Sequence, residues 1–125
     1  MKITFLITTI NGFLVVALGA FGAHGLEGMV SPERLETWNT AVQYQMFHTT
    51  ALFATALLQL HYPNRKQLMI SVWLFLAGIL LFSGSLYLLV ATDISRLGVI
   101  TPLGGVAFLA GWAFLFYGTV VASND

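Results

Sequence analysis

The residues best suited to chemistry in this sequence are polar side chains that interrupt long apolar stretches. They are His24, Tyr44, Gln45, His48, Ser83, Ser85, Tyr87 and Thr101. His48 has the strongest individual claim, because imidazole changes charge near neutral pH and an ionisable group inside an apolar helix is a functional candidate by default. Tyr44 and His48 are four residues apart and would share one face of a helix, with Gln45 beside them. This pattern is typical of a polar cluster, or of a pocket with polar walls.

Composition excludes several kinds of chemistry. The sequence contains no cysteine, which excludes disulfides, thiolate metal sites and thiol nucleophiles. No pair of carboxylates falls inside an apolar stretch; the acidic residues outside them include Glu27, Glu33, Glu36 and Asp93. The formal net charge is zero, so there is no electrostatic reason to expect a nucleic-acid partner. We therefore expect no catalytic residues, no metal site, no cofactor and no nucleic-acid partner.

Four apolar stretches must position these side chains. They run over Ile3–Ala23, Thr40–Leu60, Leu68–Ala91 and Pro102–Ala122. Each has about the 20 residues that a helix needs to cross a bilayer. Hydrophobic residues make up 58% of the sequence and charged residues only 8%, too few to cover a soluble protein of this size. The sequence therefore predicts an all-α integral membrane protein, with residues 1–125 forming one four-helix, up-down bundle.

The second helix is expected to start well before its apolar stretch. Ser31 and Pro32 form a typical helix start, in which the serine caps the first turn and the proline occupies the first helical position. No further helix breaker occurs before Pro63. We therefore expect an interfacial helical extension over Glu33–Asn39 that leads into the second span, with Trp38 as an aromatic anchor at the membrane surface.

The basic residues give a weak indication of orientation. Four spans would place both termini on one side of the membrane, together with Lys2, Arg65 and Lys66, and would leave Arg34 and Arg96 on the other. The positive-inside rule then predicts a multi-pass protein of the cell membrane with both termini in the cytoplasm.

Small residues recur every seven positions in three of the stretches. Those predicted to pack helices are Gly12, Gly19, Ser71, Gly78, Gly104, Gly111 and Gly118, and Ala41, His48 and Thr55 follow the same register in the second stretch. A seven-residue repeat keeps one stripe of a helix against its neighbour. Membrane helices associate where small residues allow close approach. Glycine is also frequent in membrane helices generally, but its strict register favours packing.

Several longer motifs resemble one family of small membrane proteins. They are Gly19–Leu26, Trp38–His48, Phe82–Tyr87, and Ile100–Gly105 with Leu109–Trp112. The resemblance is to the multi-pass family of unassigned function that includes bacterial YwdK and YgdD, and it covers the whole chain in order. It implies a multi-pass protein of the plasma membrane and supplies no biochemical activity.

The up-down order would bring the polar residues together in the half of the membrane away from the termini. Interhelical hydrogen bonding that only holds the bundle together is the favoured explanation, and a ligand pocket and catalysis are the alternatives. For function, the sequence favours a non-enzymatic accessory or assembly component of a larger membrane complex, or a homo-oligomer, in contact with membrane lipids. The alternative is a small-molecule, lipid or ion-binding or transport bundle with a polar pocket in the outer half of the membrane.

Overall fold

A computed structural model describes residues 2–122, and every regular element in that range is helical. The main helices are α1 (Lys2–His24), α2 (Pro32–His61), α3 (Lys66–Thr92) and α4 (Thr101–Phe116). A 3₁₀-helix over Ser95–Val99 precedes α4, and π-helical turns occupy Ile79–Ser83 within α3 and Tyr117–Val121 after α4. These elements cover the four predicted apolar stretches except for Ala122, and they confirm the all-helical fold.

The helix ends follow local sequence signals. Ser31 is the N-cap of α2, and its Oγ accepts a hydrogen bond from the backbone N–H of Arg34 at 3.1 Å. α2 then continues without a break from Pro32 to His61, so the predicted extension and the second apolar stretch form one helix. α3 ends at Asp93, whose φ of 59° stops the helix in a left-handed conformation. Thr101 does not cap α4 with its side chain, contrary to what its position before a proline suggests.

The packing order of the bundle follows the chain. α1 packs on α2, α3 packs on α4, and α2 lies against α3. One apolar core lies where α2, α3 and α4 meet and includes Leu52, Phe75 and Phe108. A second core lies near the C-terminal end of α1 and contains Leu26, Trp38, Leu89 and Val90. Short connections between antiparallel neighbours give the up-down arrangement of a four-helix bundle.

Three helical segments of the described chain are long and apolar enough to cross a membrane. They are Lys2–His24, Lys66–Thr92 and Ser95–Val121. α2 is long enough but is not among them, because its apolar half carries Gln45, His48, Gln59 and several threonines. Its polar side chains are largely buried inside the bundle, where they need not contact lipid. The second of the four predicted spans therefore stays a prediction.

Trp38 lies inside the protein rather than at a membrane surface. Only 5% of the residue is exposed, and its indole N–H donates to the carbonyl oxygen of Leu18 at 2.8 Å. The indole occupies space left by Gly22, where an added Cβ would come within 2.5 Å of Trp38 Cδ1. The predicted role as an interfacial anchor is therefore wrong, because the missing glycine side chain lets the ring pack between α1 and α2.

Most of the predicted small residues lie at close helix contacts. Ser71 donates to the carbonyl oxygen of Gly111 at 2.8 Å, and an added Cβ at Gly111 would come within 2.7 Å of the Phe75 ring. A Cβ at Gly78 would overlap the ring of Phe108. An added Cβ at Gly19 would touch Val42, and one at Gly118 would crowd Gln67 and Leu68. The seven-residue register of α3 and α4 is therefore an interhelical seam.

Gly12 differs from the other predicted packing residues. An added Cβ there would meet no atom within 4 Å, so no close approach depends on this glycine. Asn11, its neighbour in sequence, is buried and takes up the contact with α2 instead. Of the two glycines predicted to pack in α1, Gly19 lies against α2 and Gly12 does not.

Gly104 lies directly against the backbone of the π-helical turn of α3. An added Cβ on Gly104 would lie within 2.7 Å of the Cα of Phe82 and would also overlap its backbone nitrogen. Since the obstacle is backbone rather than a flexible side chain, α4 can dock at this depth only with glycine at position 104. This contact fixes α4 against the part of α3 that carries Phe82, Ser83 and Ser85.

Candidate functional site

His48 is held between two hydrogen bonds inside the bundle. Its Nδ1 lies 2.8 Å from the carbonyl oxygen of Tyr44, one turn earlier in α2, and its Nε2 lies 3.1 Å from the indole nitrogen of Trp112 in α4. A carbonyl oxygen can only accept and an indole N–H can only donate. The imidazole is therefore neutral, with its proton on Nδ1, and both ring nitrogens have protein partners.

Aromatic rings surround the imidazole on several sides. The Phe108 ring is stacked on it with centroids 3.5 Å apart and an interplanar angle of 8°. The rings of Phe47, Phe75 and Trp112 approach at steeper angles, with centroid distances of 5.2, 5.5 and 5.9 Å. Only 3% of His48 is exposed. The ring thus contributes stacking area and one hydrogen bond, from Trp112, to the α2–α4 interface, while its bond to Tyr44 lies within α2.

A cleft of about 480 Å³ lies beside this cluster, between α2, α3 and α4. Its walls are chiefly aromatic and aliphatic, with Tyr44 and Phe47 from α2, Phe82 from α3, and Leu109 and Trp112 from α4. Leu109 and Val106 on its rim are largely exposed. His48 lines the cleft but is almost fully covered by its neighbours. The cleft therefore offers an apolar surface on the outside of the bundle rather than a polar chamber within it.

A network of polar side chains, separate from His48, connects α1, α2 and α3. The hydroxyl of Tyr87 donates to Gln45 Oε1 at 2.7 Å, and Gln45 Nε2 donates to Asn11 Oδ1 at 3.0 Å. Asn11 Nδ2 in turn donates to the carbonyl oxygen of Ile7 at 2.9 Å. Gln45 and Asn11 are both buried. This chain of hydrogen bonds joins three helices through groups that would be costly to leave unpaired in an apolar interior.

The serines near the middle of α3 make separate contacts. Ser83 Oγ donates to the carbonyl oxygen of Ala41 in α2 at 2.8 Å. Ser85 Oγ lies 2.6 Å from Thr101 Oγ1 and also donates to the carbonyl oxygen of Phe82 at 2.9 Å. Because the Ser85 proton is used on Phe82, the Thr101 hydroxyl is the donor of the shared bond. These contacts tie α3 to α2 and to α4 respectively.

The predicted polar set therefore divides into three groups rather than lining one pocket. Gln45 and Tyr87 belong to the network with Asn11, Ser85 pairs with Thr101, and His48 pairs with Trp112. Ser83 bonds to backbone alone, and Tyr44 contributes its carbonyl oxygen to His48 and its ring to the cleft. His24 is exposed at the end of α1, and within residues 2–122 it makes no hydrogen bond or ring contact with the others.

Sequence reasoning missed the closest partners of two members of this set. Trp112 was noted only within a family motif, although it follows Gly111 in the packing register and is therefore near the seam. Asn11 shares the buried face of α1 with Thr4 and Thr8, and its amide pairs with that of Gln45. The available signal is that both amides fall inside apolar stretches, where each needs a hydrogen-bond partner.

The described residues contain no cluster of three or more histidine and acidic side chains that could hold a metal ion. The only ion pair within the same range joins Arg34 and Asp93 at 3.0 Å, across the ends of α2 and α3. Arg34 also donates to Ser95 Oγ at 2.9 Å. The ionic contact thus lies at the end of the bundle, away from the buried polar groups.

Comparison with known proteins places this arrangement in a family. Residues 18–105 match the family model described as "Protein of unknown function (DUF423)". The chain belongs to this family. The matched range begins within α1 and ends within α4, so it includes the three polar groups apart from Asn11 and Trp112.

Relatives of the DUF423 chain include proteins named as membrane proteins. The chain is 48% identical to the UPF0382 membrane protein YwdK of Bacillus subtilis over 120 residues, which are 96% of this chain and 98% of the relative. It is 46% identical to a UPF0382 membrane protein of Haemophilus influenzae over 113 residues, 90% of each chain. It is 43% identical to a UPF0382 membrane protein of Staphylococcus aureus over 119 residues, which are 95% of this chain and 96% of the relative. No solved structure matches the chain.

These findings together identify an integral membrane protein of a family whose biochemical role is not assigned. The helices long and apolar enough to cross a membrane and the names of the relatives agree on this point. They confirm the resemblance drawn from the motifs, including the relationship to YwdK.

Proposed function

We propose that the protein is a non-enzymatic accessory or assembly component that acts through contacts within the membrane. In this proposal it crosses the cell membrane four times, with both termini in the cytoplasm. Its partner is a helix of another membrane protein or a second copy of the chain. The connections between its helices are short, so contacts with other molecules would be made mainly by helix surfaces.

The observation that carries the proposal is the way the intramembrane polar groups are used. Both nitrogens of His48, both ends of the Gln45 amide and the hydroxyls of Ser85 and Tyr87 are already bonded to other parts of the bundle. General acid–base or nucleophilic catalysis needs such a group within reach of a substrate. Groups that are bonded to one another instead stabilise the arrangement of the helices.

The outer surface supports a role in association. The cleft beside α2 and α4 is apolar, and its rim includes Gly105, where an added Cβ would meet no atom within 4 Å. Membrane helices associate by close packing rather than by exclusion of water, so a shaped recess favours a helix over mobile lipid. The exposed face of α1 around Phe13, which is 77% exposed and does not line this cleft, serves as the comparison surface.

Site-specific photocrosslinking in intact membranes tests this proposal. A photoreactive residue in place of Leu109, on the rim of the cleft, should give a discrete adduct. An adduct of twice the chain's mass indicates a homo-oligomer, and another fixed mass indicates a partner protein. The same residue in place of Phe13 should give no discrete adduct. Equal crosslinking at both positions, together with a monomer in mild detergent, would contradict the proposal.

A further inference from the structure

A second cavity lies at the opposite end of the bundle from the Arg34–Asp93 pair. Its volume is about 310 Å³, and it is lined by Gln59, Pro63, Asn64, Arg65, Lys66 and Met69. These residues come from the last turn of α2, the connecting turn and the first turn of α3. Because α3 begins at Lys66 and is long and apolar enough to cross a membrane, the cavity belongs at the level of the lipid headgroups.

Gln59 brings an unsatisfied polar atom to this cavity. The residue is only 8% exposed, and its Nε2 makes a hydrogen bond of 3.4 Å to the sulfur of Met69, which is a weak acceptor. Its Oε1 is buried and has no hydrogen-bond partner in the part of the chain that the structure describes. Buried amide oxygens are normally bonded, so this atom indicates a ligand that brings a donor.

The mouth of the cavity is positively charged. Lys66 is exposed there, and Arg65 is held in place by a hydrogen bond from Nη1 to the carbonyl oxygen of Gly118 at 2.7 Å and by its position 3.9 Å over the Tyr62 ring. The N-terminus of α3 has no side-chain cap, so its positive end is directed at the same region. Among residues 2–122, none of those that line the cavity is acidic.

We propose that this cavity binds the headgroup of an anionic phospholipid that carries a hydroxyl group, such as a phosphoglycerol headgroup. The phosphate lies against Lys66 and the start of α3, and the hydroxyl donates to Gln59 Oε1. A phosphate beside a hydroxyl matches the two demands of the cavity, a negative charge at its mouth and a donor at its wall. The site is separate from the α2–α4 cleft, so it stands whether or not that cleft binds a partner.

Native mass spectrometry of the full chain in mild detergent provides the test. The probes are phosphatidylglycerol, phosphatidylmethanol (anionic but without the headgroup hydroxyl) and zwitterionic phosphatidylcholine, all with the same acyl chains. The wild type should retain phosphatidylglycerol most strongly. Lys66→Gln should weaken that retention roughly fivefold, which is the loss expected for one lysine near a lipid surface. Arg96→Gln removes an exposed cation from the other end of the bundle and should leave retention unchanged.

The hydroxyl contact has a separate readout that does not depend on charge. The wild type should bind phosphatidylglycerol about fivefold more tightly than phosphatidylmethanol, the difference expected for one hydrogen bond. Gln59→Leu keeps the volume of the side chain and should bind the two lipids equally. It should fold about as well as the wild type, because it removes the unpaired Oε1 and, among the described residues, only the weak hydrogen bond from Nε2 to the Met69 sulfur.

Several results would overturn the proposal. Retention of phosphatidylcholine equal to that of phosphatidylglycerol would remove the role of charge, as would equal weakening by Lys66→Gln and Arg96→Gln. An unchanged preference for the hydroxyl in Gln59→Leu would remove the role of the amide. Displacement of the lipid by millimolar glycerol 3-phosphate or inorganic phosphate would assign the cavity to a soluble phosphate compound instead.

Discussion

At the scale of single residues, His48 shows how an imidazole can be buried in an apolar helical bundle. Each nitrogen has a fixed partner, the carbonyl oxygen of Tyr44 on one side and the Trp112 indole on the other. The ring face is covered by Phe108. With its polar atoms satisfied and its face stacked, the histidine links α2 to α4 at low desolvation cost.

The His48–Trp112 contact should be measurable as a coupling energy. Trp112→Phe removes the N–H donor and should lower the free energy of unfolding by about 0.6–2 kcal/mol, the range found for hydrogen bonds between membrane helices. In a His48→Leu background the same substitution should cost clearly less, because the acceptor is already absent. Reversible unfolding in detergent micelles measures all four proteins of the cycle. Additive costs would show that the two side chains do not interact.

A second prediction concerns the hydroxyl of Tyr87. Tyr87→Phe leaves Gln45 Oε1 buried without its donor and should destabilise the protein by about 1–3 kcal/mol. Tyr44→Phe removes the same atom from a half-exposed tyrosine whose hydroxyl makes no hydrogen bond within residues 2–122, and it should change stability by less than about 0.5 kcal/mol. Thermal unfolding of both variants in the same detergent makes the comparison. Equal losses would contradict the proposed network.

At the scale of helices, Gly104 is the point where α4 lies against the backbone of α3. Gly104→Ala places a methyl group against the backbone of Phe82 and should destabilise the protein by about 1–3 kcal/mol, as overpacking does elsewhere. Gly105→Ala, one residue later, has open space around it and should change stability by less than about 1 kcal/mol. Retention of the folded form during heating in detergent distinguishes them. If Gly104→Ala were as stable as Gly105→Ala, the two helices would be farther apart at this position than described.

The helices were predictable from sequence to within a few residues, and their detailed contacts were not. Apolar run length, the Ser31–Pro32 start and the break at Pro63 are local signals, so the bounds of α1 to α3 follow from them. The π-helical turn at Ile79–Ser83 has no such signal; it lies where Gly104 of α4 packs against Phe82. Side-chain pairing in the predicted polar set likewise depends on helix rotation, which sequence spacing specifies only coarsely.

At the scale of the whole molecule, the four-span arrangement predicts opposite accessibility for two loops. The chain has no cysteine, so single cysteines can be introduced at Met29, between α1 and α2, and at Asn64, between α2 and α3. In intact cells a membrane-impermeant maleimide should label Met29→Cys and not Asn64→Cys. Permeabilised cells provide the control, in which both should react. Labelling of Asn64→Cys alone would reverse the orientation, and equal labelling of both in intact cells would show that α2 does not cross.

The π-helical turn within α3 holds one residue more than a regular helix would need there. Each residue of an α-helix advances the chain by about 100° around the axis, so an extra residue in a regular helix would rotate everything after it by that angle. The wider turn at Ile79–Ser83 absorbs the extra residue, so Ser85 and Tyr87 face Thr101 and Gln45. Deleting one amino acid within the turn would therefore leave a regular helix with both side chains on the same face, whereas the same deletion earlier in α3 would rotate both away from their partners.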